Sequence, residues 1–320
     1  MKAVLCEKLG GPDDLVLRDL AEPPEPGPGQ VKVALAARGV AFTDVLMIAG
    51  EYQVKPELPF VVGGEGAGTV VEVGDGVKNL APGDRVLCPG GCVEQVVVDA
   101  SRVTRLPPSV ELAAAAAFRA NYATALYGLQ RGRLQAGETL LVHGAAGGVG
   151  LAAVDVGKLM GATVVATASS EEKRRVARQM GADEVIDYTR GFREQVKELT
   201  GGRGADVIYD PVGGDVFDES MRCIAPFGRI LVVGFTSGRA ALAKTNHLLI
   251  KDAEVIGYTI GALNRHDPDW AARNARVLLG WLACGRINPY ISHRLPLEQT
   301  AEALRLIRDR KVIGKAIIES

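Results

Sequence analysis

Over residues 1–118 the apolar positions fall in short β-rich runs, which are separated by glycine- and proline-rich turns. The clearest runs are Val31–Leu35, Gly68–Val73, Arg85–Cys88 and Val93–Val98. Short strands between such turns predict a compact β-barrel-like domain. A short helix that starts at Thr43 or Asp44 is predicted inside this region, and a helix over 112–118 is predicted to lead out of it.

From residue 119 to residue 256 the spacing changes, and buried strand patterns alternate with helical ones. Strands are predicted at 139–143, 163–168, 184–187, 205–210 and 228–233, and helices at 148–160, 171–180, 192–199 and 215–224. This alternation is typical of βαβ units and predicts a doubly wound parallel sheet. A further strand is predicted at 254–260, then helices at 268–284 and 298–309 and a closing strand at 314–319.

A glycine-rich turn follows the first strand of this second region. The segment His143-Gly-Ala-Ala-Gly-Gly-Val-Gly150 joins that strand to an apolar helical pattern, with alanine in the first slot of a G-x-G-x-x-G spacing. Glycines let a backbone approach phosphates closely, and a helix N-terminus attracts their charge. The motif alone is weak evidence, but the strand before it and the helix after it favour a dinucleotide site over an ordinary tight turn.

The end of the next strand indicates which dinucleotide binds. An NAD site places Asp or Glu there, about twenty residues beyond the fingerprint, to accept from the ribose 2′-hydroxyl. This chain has Ala168, Ser169 and Ser170, followed by Lys173. Hydroxyls and a cation without an acid suit a 2′-phosphate, so we predict NADPH rather than NADH. Capping of the helix that begins near Glu171 is another use of either serine, and the two uses are compatible.

Two more loops follow parallel strands at their carboxyl ends, where open α/β sheets bind ligands. They are Asp210-Pro-Val-Gly-Gly214 and Val233-Gly-Phe-Thr-Ser-Gly238. Their glycines permit close approach of a ribose or a nicotinamide, although each loop taken alone is more typical of an ordinary connection.

Composition narrows the class of protein. The chain has 320 residues, a net charge of −1 and 47% hydrophobic residues, which predicts a soluble two-domain protein without the basic face that nucleic acid requires. No apolar segment approaches the roughly eighteen residues of a membrane span. Five scattered cysteines favour free thiols in a reducing compartment, so we predict a cytoplasmic protein.

Neither a metal site nor a catalytic nucleophile is predicted. Cys88 and Cys92 have no second pair or nearby histidine, and the four histidines are dispersed, so no tetrahedral zinc set forms. His143 is interpreted as a structural residue at a strand end. No Gly-x-Ser-x-Gly elbow is present. Hydride transfer needs no nucleophile, only an aligned donor and groups that stabilise charge on the acceptor.

Four blocks of sequence carry a family resemblance: Gly39–Met47 with Tyr52–Phe60, Asn121–Tyr127, His143–Gly150 and Asp210–Gly214. Together they resemble the zinc-free, NADPH-dependent quinone oxidoreductases of the medium-chain dehydrogenase/reductase superfamily. The resemblance implies an α/β fold of two domains. A GroES-like β-barrel catalytic domain would comprise residues 1–118 and 257–320, and a Rossmann domain with a doubly wound parallel sheet would comprise residues 119–256.

The resemblance also accounts for the missing metal. Zinc-dependent relatives carry cysteine, histidine and cysteine where this chain has Ala41, Gly64 and Ala120, and Glu65 beside the lost histidine is interpreted as structural. Quinone oxidoreductases commonly carry asparagine near the nicotinamide where this chain has Ala41. This departure leaves the identity of the acceptor open.

Carried over position by position, the resemblance implies three groups of NADPH contacts. The pyrophosphate group is Ala146, Gly147, Gly148, Val149 and Gly150; the 2′-phosphate group is Ser169, Ser170, Lys173 and Tyr188; the nicotinamide group is Phe42, Thr43, Thr124, Val212, Gly234, Phe235 and the chain near Lys315. Thr43 and Tyr52 are the candidate catalytic residues that would stabilise or protonate the reduced acceptor, and packing is the alternative role of Tyr52. The resemblance further implies a homodimer joined through the strand at 254–260.

We therefore predict an NADPH-dependent oxidoreductase that transfers hydride, without metal, to a quinone or a similar electron-poor carbonyl compound. Two alternatives stay open. An enone or enoyl-thioester reductase of the same superfamily would differ only in its acceptor pocket, and a non-catalytic NADPH-binding module would keep the same cofactor loops. In every case the predicted partner is a small molecule, with no nucleic acid and no membrane.

Overall fold

The computed structural model describes all residues from Met1 to Ser320. The chain divides into two compact units: the first unit comprises Met1–Arg119 and Leu282–Ser320, and the second unit comprises Ala120–Trp281. No helix combines the length and the apolar character that crossing a membrane would require.

In chain order the strands are β1 (Lys2–Cys6), β2 (Val16–Asp19), β3 (Gln30–Val40), β4 (Phe60–Val61), β5 (Glu65–Val73), β6 (Arg85–Pro89), β7 (Gln95–Asp99), β8 (Thr104–Arg105), β9 (Thr139–Val142), β10 (Thr163–Ala168), β11 (Glu184–Asp187), β12 (Ala205–Asp210), β13 (Ile224–Val232), β14 (Glu254–Gly257), β15 (Ile291–Pro296) and β16 (Lys315–Glu319). The α-helices are α1 (Phe42–Ile48), α2 (Leu112–Arg131), α3 (Gly148–Leu159), α4 (Glu171–Gln179), α5 (Arg193–Leu199), α6 (Gly214–Cys223), α7 (Thr245–Lys251), α8 (Ile260–His266), α9 (Pro268–Ala283) and α10 (Thr300–Arg308).

The first unit is built from β-sheet. Its larger sheet has the order β15-β16-β3-β5-β6-β8, with β7 also paired to β3, and its smaller sheet has the order β2-β1-β4. The long strand β3 shows the pattern that forms the sheet: Val31, Val33 and Leu35 are buried, and the residues between them are less so. This two-residue period places one face of the strand in the core.

The second unit contains a six-stranded parallel sheet of order β11-β10-β9-β12-β13-β14. Every residue of β12 is buried, and β9 is buried from Leu140 to Val142. Helices cover both faces of such a sheet, so its central strands are buried along their length rather than at alternate residues. The predicted doubly wound parallel sheet is confirmed.

Some predicted element bounds are wrong. The strand predicted at 254–260 ends at Gly257, because Thr259 accepts a hydrogen bond from Ala262 N (3.1 Å) and begins α8 instead. Helix α2 continues past the predicted end at residue 118 to Arg131, and α7 was not predicted.

The second boundary between the two units lies between residues 281 and 282, whereas the predicted boundary lies between residues 256 and 257. The cause is packing within the second unit between α2 and the segment after β14. The ring of Tyr127 meets those of Tyr258 and Trp270 edge-on, with centroids 5.6 and 5.1 Å apart. Trp270 Nε1 also donates to Gln130 Oε1 (2.9 Å). Residues 257–281 therefore belong with the parallel sheet rather than with the first unit.

Candidate dinucleotide-binding site

The glycine-rich turn joins β9 to α3 at the carboxyl edge of the parallel sheet. Gly144 has a φ of +54°, and Gly147 N donates to Gly144 O (2.9 Å) to close the turn. The first hydrogen bond of α3 runs from Leu151 N to Gly147 O (2.9 Å). The N–H groups of Gly148, Val149 and Gly150 precede that bond and so have no partner within the helix. They form an N-terminus suited to a phosphate.

Packing explains the glycines at positions 148 and 150. A Cβ on Gly148 would lie 2.5 Å from Asn121 Nδ2, and one on Gly150 would lie 2.8 Å from Ala145 Cα and closer still to Gly144 O. Ala146 has no polar side-chain atom, so only its backbone could contact a phosphate. The predicted pyrophosphate residues thus share one tight turn.

His143 directly follows β9 and is a buried, neutral structural residue. Its Nδ1 lies 3.0 Å from Thr167 Oγ1, and its Nε2 lies 2.9 Å from Ser220 Oγ. Because Ser220 donates its own proton to Val216 O (2.7 Å), His143 Nε2 carries the proton and Nδ1 accepts from Thr167. Burial lowers the pKa of His143 to about 3. These contacts agree with the interpretation of His143 as structural.

The predicted 2′-phosphate residues are brought together by two neighbouring strand ends. Strands β10 and β11 pair in parallel with Ala168 opposite Asp187, so the residues that follow each strand lie at one edge of the sheet. Ser170 caps α4 by accepting from Lys173 N (3.3 Å), which bears out its capping role. Tyr188 begins a short turn of 3-10 helix after β11. No acidic residue occupies 168–170.

The loops after β12 and β13 are tied to each other. The buried carboxylate of Asp210 accepts from Val212 N (2.8 Å) and Gly213 N (3.0 Å), and burial raises its pKa. Thr236 N donates to Pro211 O (3.1 Å), and Ser237 N donates to Val212 O (3.0 Å). These bonds bring Val212 next to the loop that contains Gly234 and the exposed ring of Phe235.

In the first unit, α1 presents two predicted residues at its start. Phe42 is half-buried, Thr43 is exposed, and Tyr52 follows the helix as a half-buried side chain. Asp44, which the sequence singled out only as a helix start, is buried and accepts from Ala41 N (2.8 Å). Burial raises the pKa of Asp44 to about 6, against the opposing effects of the Ala41 hydrogen bond and of Lys315.

Lys315 is the first residue of β16 and forms a buried ion pair with Glu65. Its Nζ lies 2.8 Å from Glu65 Oε2, and the two side chains are only 3% and 12% exposed. Gly39 makes room for this lysine, because a Cβ there would lie 2.8 Å from Lys315 Cε. The interpretation of Glu65 as structural agrees with this pair. Any contact between a cofactor and the chain near Lys315 would involve backbone rather than the ammonium group.

Thr124 lies in α2, within the second unit, and its carbonyl accepts from the Tyr258 hydroxyl (3.1 Å). The predicted nicotinamide residues Phe42, Thr43 and Lys315 belong to the first unit, and the others belong to the second. No group of three His, Cys, Asp or Glu side chains is arranged to hold a metal ion. The absence of zinc from the functional protein remains a prediction.

The fold and the glycine turn define a protein of the nucleotide-dependent dehydrogenase and reductase class. Residues 27–108 match the family model described as the alcohol dehydrogenase GroES-like domain, and residues 148–276 match the one described as zinc-binding dehydrogenase. A quinone oxidoreductase-like protein 2 homolog from Nematostella vectensis is 42% identical, and the alignment covers 100% of this chain and 89% of that protein. A 2-haloacrylate reductase from Burkholderia sp. is 34% identical, with 99% and 98% covered.

Solved structures agree with the sequence relatives. The quinone oxidoreductase of Escherichia coli complexed with NADPH has a TM-score of 0.91 and 28% identity, with both chains fully covered. A structure described as an NAD-dependent alcohol dehydrogenase has a TM-score of 0.92 and 32% identity, again with full coverage of both. The chain belongs to the quinone oxidoreductase branch of the medium-chain dehydrogenase/reductase superfamily, which confirms the resemblance and the GroES-like and Rossmann folds. The findings support an oxidoreductase of this family with a nicotinamide cofactor.

Proposed function

We propose that the chain is an NADPH-dependent oxidoreductase that delivers hydride, without a metal, to a quinone or a similar electron-poor carbonyl acceptor. The observation that carries the proposal is the edge formed by the ends of β9, β10 and β11. Three N–H groups at the start of α3 lie at this edge and can bind a pyrophosphate. The hydroxyls of Ser169 and Ser170, with Lys173 after them, follow β10 at the position where an NAD site would have an acidic residue.

Each predicted group has a role in this proposal. The turn from Ala146 to Gly150 holds the pyrophosphate by backbone N–H groups, and Ser169, Ser170, Lys173 and Tyr188 hold the 2′-phosphate. Lys173 contributes a charge-assisted contact that only the phosphorylated cofactor can use. Val212, Gly234, Phe235, Thr124, Phe42 and the chain near Lys315 enclose the nicotinamide, which supplies the hydride when the cofactor is bound.

Thr43 and Tyr52 serve the acceptor. Hydride addition to a quinone leaves negative charge on an oxygen, which hydrogen-bond donors stabilise. Thr43 is exposed at the first turn of α1, Tyr52 is half-buried just after that helix, and each side chain carries a hydroxyl that can donate a hydrogen bond. Tyr52 supplies the proton in this proposal.

A second acceptor class is favoured by one observation. The Burkholderia relative is named for the reduction of a haloacrylate, an alkene conjugated to a carboxyl group. In such a reaction hydride adds to the β-carbon and a proton adds to the α-carbon, so the same cofactor site serves an enone or an enoyl thioester.

We also propose that two copies associate through β14. This strand pairs only with β13, and its other edge is open. Next to it in sequence, Leu249 and Ile250 of α7 are 79% and 77% exposed. Open strand edges and exposed apolar side chains favour association. Analytical ultracentrifugation is expected to show a dimer for the wild type and a monomer for Leu249→Glu/Ile250→Glu, and a monomeric wild type refutes this proposal.

The deciding experiment follows oxidation of NADPH and of NADH by absorbance with a naphthoquinone, a phenanthrenequinone, an alkyl enone and an enoyl thioester, with and without a chelator. We expect quinone reduction with NADPH that the chelator leaves unchanged. Faster turnover of the enone or thioester supports the second acceptor class. Tight NADPH binding with no turnover of any acceptor indicates a non-catalytic binding module, and loss of activity with chelator refutes the metal-free mechanism.

A further inference from the structure

Arg174 joins the two strand ends at which the 2′-phosphate is proposed to bind. Its Nη1 lies 2.9 Å from Asp187 Oδ2, at the end of β11, and 3.4 Å from Ser169 O, after β10. Its Nε and Nη2 donate to Glu171 Oε2 at 3.1 and 2.9 Å. The arginine side chain is only 16% exposed. One guanidinium group therefore spans the loop after β10, the first turn of α4 and the end of β11.

Asp187 is the acidic residue whose position matters most here. It pairs in register with Ala168, the residue after which an NAD site would carry its ribose-binding acid. Its Oδ1 accepts from Thr189 N (3.1 Å) and Thr189 Oγ1 (2.6 Å), and its Oδ2 meets Arg174. The Thr189 hydroxyl, Arg174 and Arg190 hold its pKa below the usual range, so it is a carboxylate at neutral pH.

Loss of Arg174 would affect its two carboxylate partners, Glu171 and Asp187, differently. Glu171 would keep an ion pair with Arg178 (3.3 Å). Asp187 would keep the Thr189 hydrogen bonds on Oδ1 and the weaker influence of Arg190, but Oδ2 would lose its partner. The Asp187 carboxylate, at the end of the strand that neighbours β10, would then repel a phosphate bound near Ser169. It could instead accept a hydrogen bond from a ribose hydroxyl.

We propose that Arg174 is a specificity-determining residue, which masks the carboxylate of Asp187 and thereby lets this edge of the sheet accept a 2′-phosphate. Arg174 acts through Asp187 and through the Ser169 carbonyl, so it is a positioning residue. The inference rests on the proposed NADPH function. It assigns the cofactor preference to an ion pair as well as to the residues that touch the phosphate.

The test uses calorimetric titration of NADPH and NADH into the full chain and three variants: Arg174→Ala, Asp187→Asn and the double variant. We expect Arg174→Ala to weaken NADPH relative to NADH about three- to tenfold, the effect of one nearby charge on a phosphate at effective dielectric constants near that of water. The double variant is expected to recover the wild-type ratio within about twofold. The loss should shrink when salt is raised from about 50 mM to about 500 mM.

Arg175→Ala is the matched control. It removes a neighbouring positive charge from the same helix, but Arg175 is exposed and has no ion pair. We expect its NADPH-to-NADH ratio to stay within about twofold of the wild-type value. Melting temperatures of all variants show whether α4 remains folded.

Two results would overturn the inference. One is an equal loss of both cofactors in Arg174→Ala, and the other is an altered ratio that Asp187→Asn does not restore. A wild type that prefers NADH refutes the proposed cofactor instead. Even then, the shift of the ratio between the wild type and Arg174→Ala still tests whether the arginine masks the aspartate, so the two failures are distinguishable.

Discussion

Replacing Gly150 by alanine tests whether the glycine turn is built as tightly as its geometry indicates. A Cβ at this position would lie 2.8 Å from Ala145 Cα, whereas carbon atoms in contact prefer about 3.5–4.0 Å. The start of α3 must therefore move by roughly 1 Å. Overpacking of this kind typically costs about 1–3 kcal/mol of unfolding free energy.

The same displacement would affect the cofactor. The N–H groups of Gly148, Val149 and Gly150 start α3 and would move away from the position proposed for the pyrophosphate. A hydrogen bond to a charged group contributes roughly 1.5–3 kcal/mol. We therefore expect the Kd for NADPH to rise on the order of tenfold or more.

Urea unfolding and NADPH titration measure the two effects. The chain has two tryptophans, Trp270 and Trp281, and both lie in the second unit, so their fluorescence reports on the unit that carries the turn. Gly280→Ala is the control, because Gly280 is an exposed residue of α9 with nothing within 4 Å of a Cβ. Alanine there should stabilise the helix by up to about 1 kcal/mol and leave NADPH binding unchanged. A Gly150→Ala variant with wild-type stability and affinity would refute this account of the turn.

Three further substitutions test other parts of the site. Lys173→Ala should weaken NADPH about tenfold or more and leave NADH nearly unaffected in the same titration, since only NADPH has the 2′-phosphate; equal weakening of both contradicts the assignment. Tyr52→Phe should reduce quinone turnover about a hundredfold if the hydroxyl is the proton donor, and a change within twofold removes it from the chemistry. Asp44→Asn should stabilise the chain at pH 7.5. The pKa of Asp44 rises from 3.8 to about 6 on folding, so above pH 6 its buried charge opposes folding by up to about 3 kcal/mol, and asparagine removes that charge. In thermal unfolding this advantage should fade as the pH falls from 6 towards 3.8, and an advantage that does not change with pH contradicts the assigned cause.

The parallel sheet could be predicted from the sequence because its signals are local. Short apolar runs in the sequence predict the buried parallel strands, and the cluster of glycines predicts the turn after β9. Helix α7 gives no such signal, since it is a seven-residue helix whose Leu249 and Ile250 face solvent. The early end of β14 did have a signal, because Thr259 is a favoured N-cap residue.

The second domain boundary depends on contacts between residues far apart in the chain. Tyr127 packs against Trp270, and Gln130 binds both Trp270 and Asn274. Nothing in the segments around 127 or 270 indicates which partner each will meet. Spacing of hydrophobic residues predicts that an element is amphipathic, but the pairing of elements decides which domain it joins.

Cofactor choice shows the same limit at the level of single residues. The sequence after β10 lacks an acid, and on that ground alone it favours NADPH. Yet the parallel register places Asp187 opposite Ala168, so a carboxylate does stand at this edge, contributed by the next strand. Its charge is balanced by Arg174, a residue of α4 that lies four positions after Ser170 and thirteen positions before Asp187 in the sequence. A 2′-phosphate bound at this edge would interact with charged residues at the ends of both β10 and β11. A sequence motif that covers only the end of β10 therefore predicts the preference for NADPH correctly only where an ion pair, here that of Arg174, neutralises the carboxylate at the end of β11.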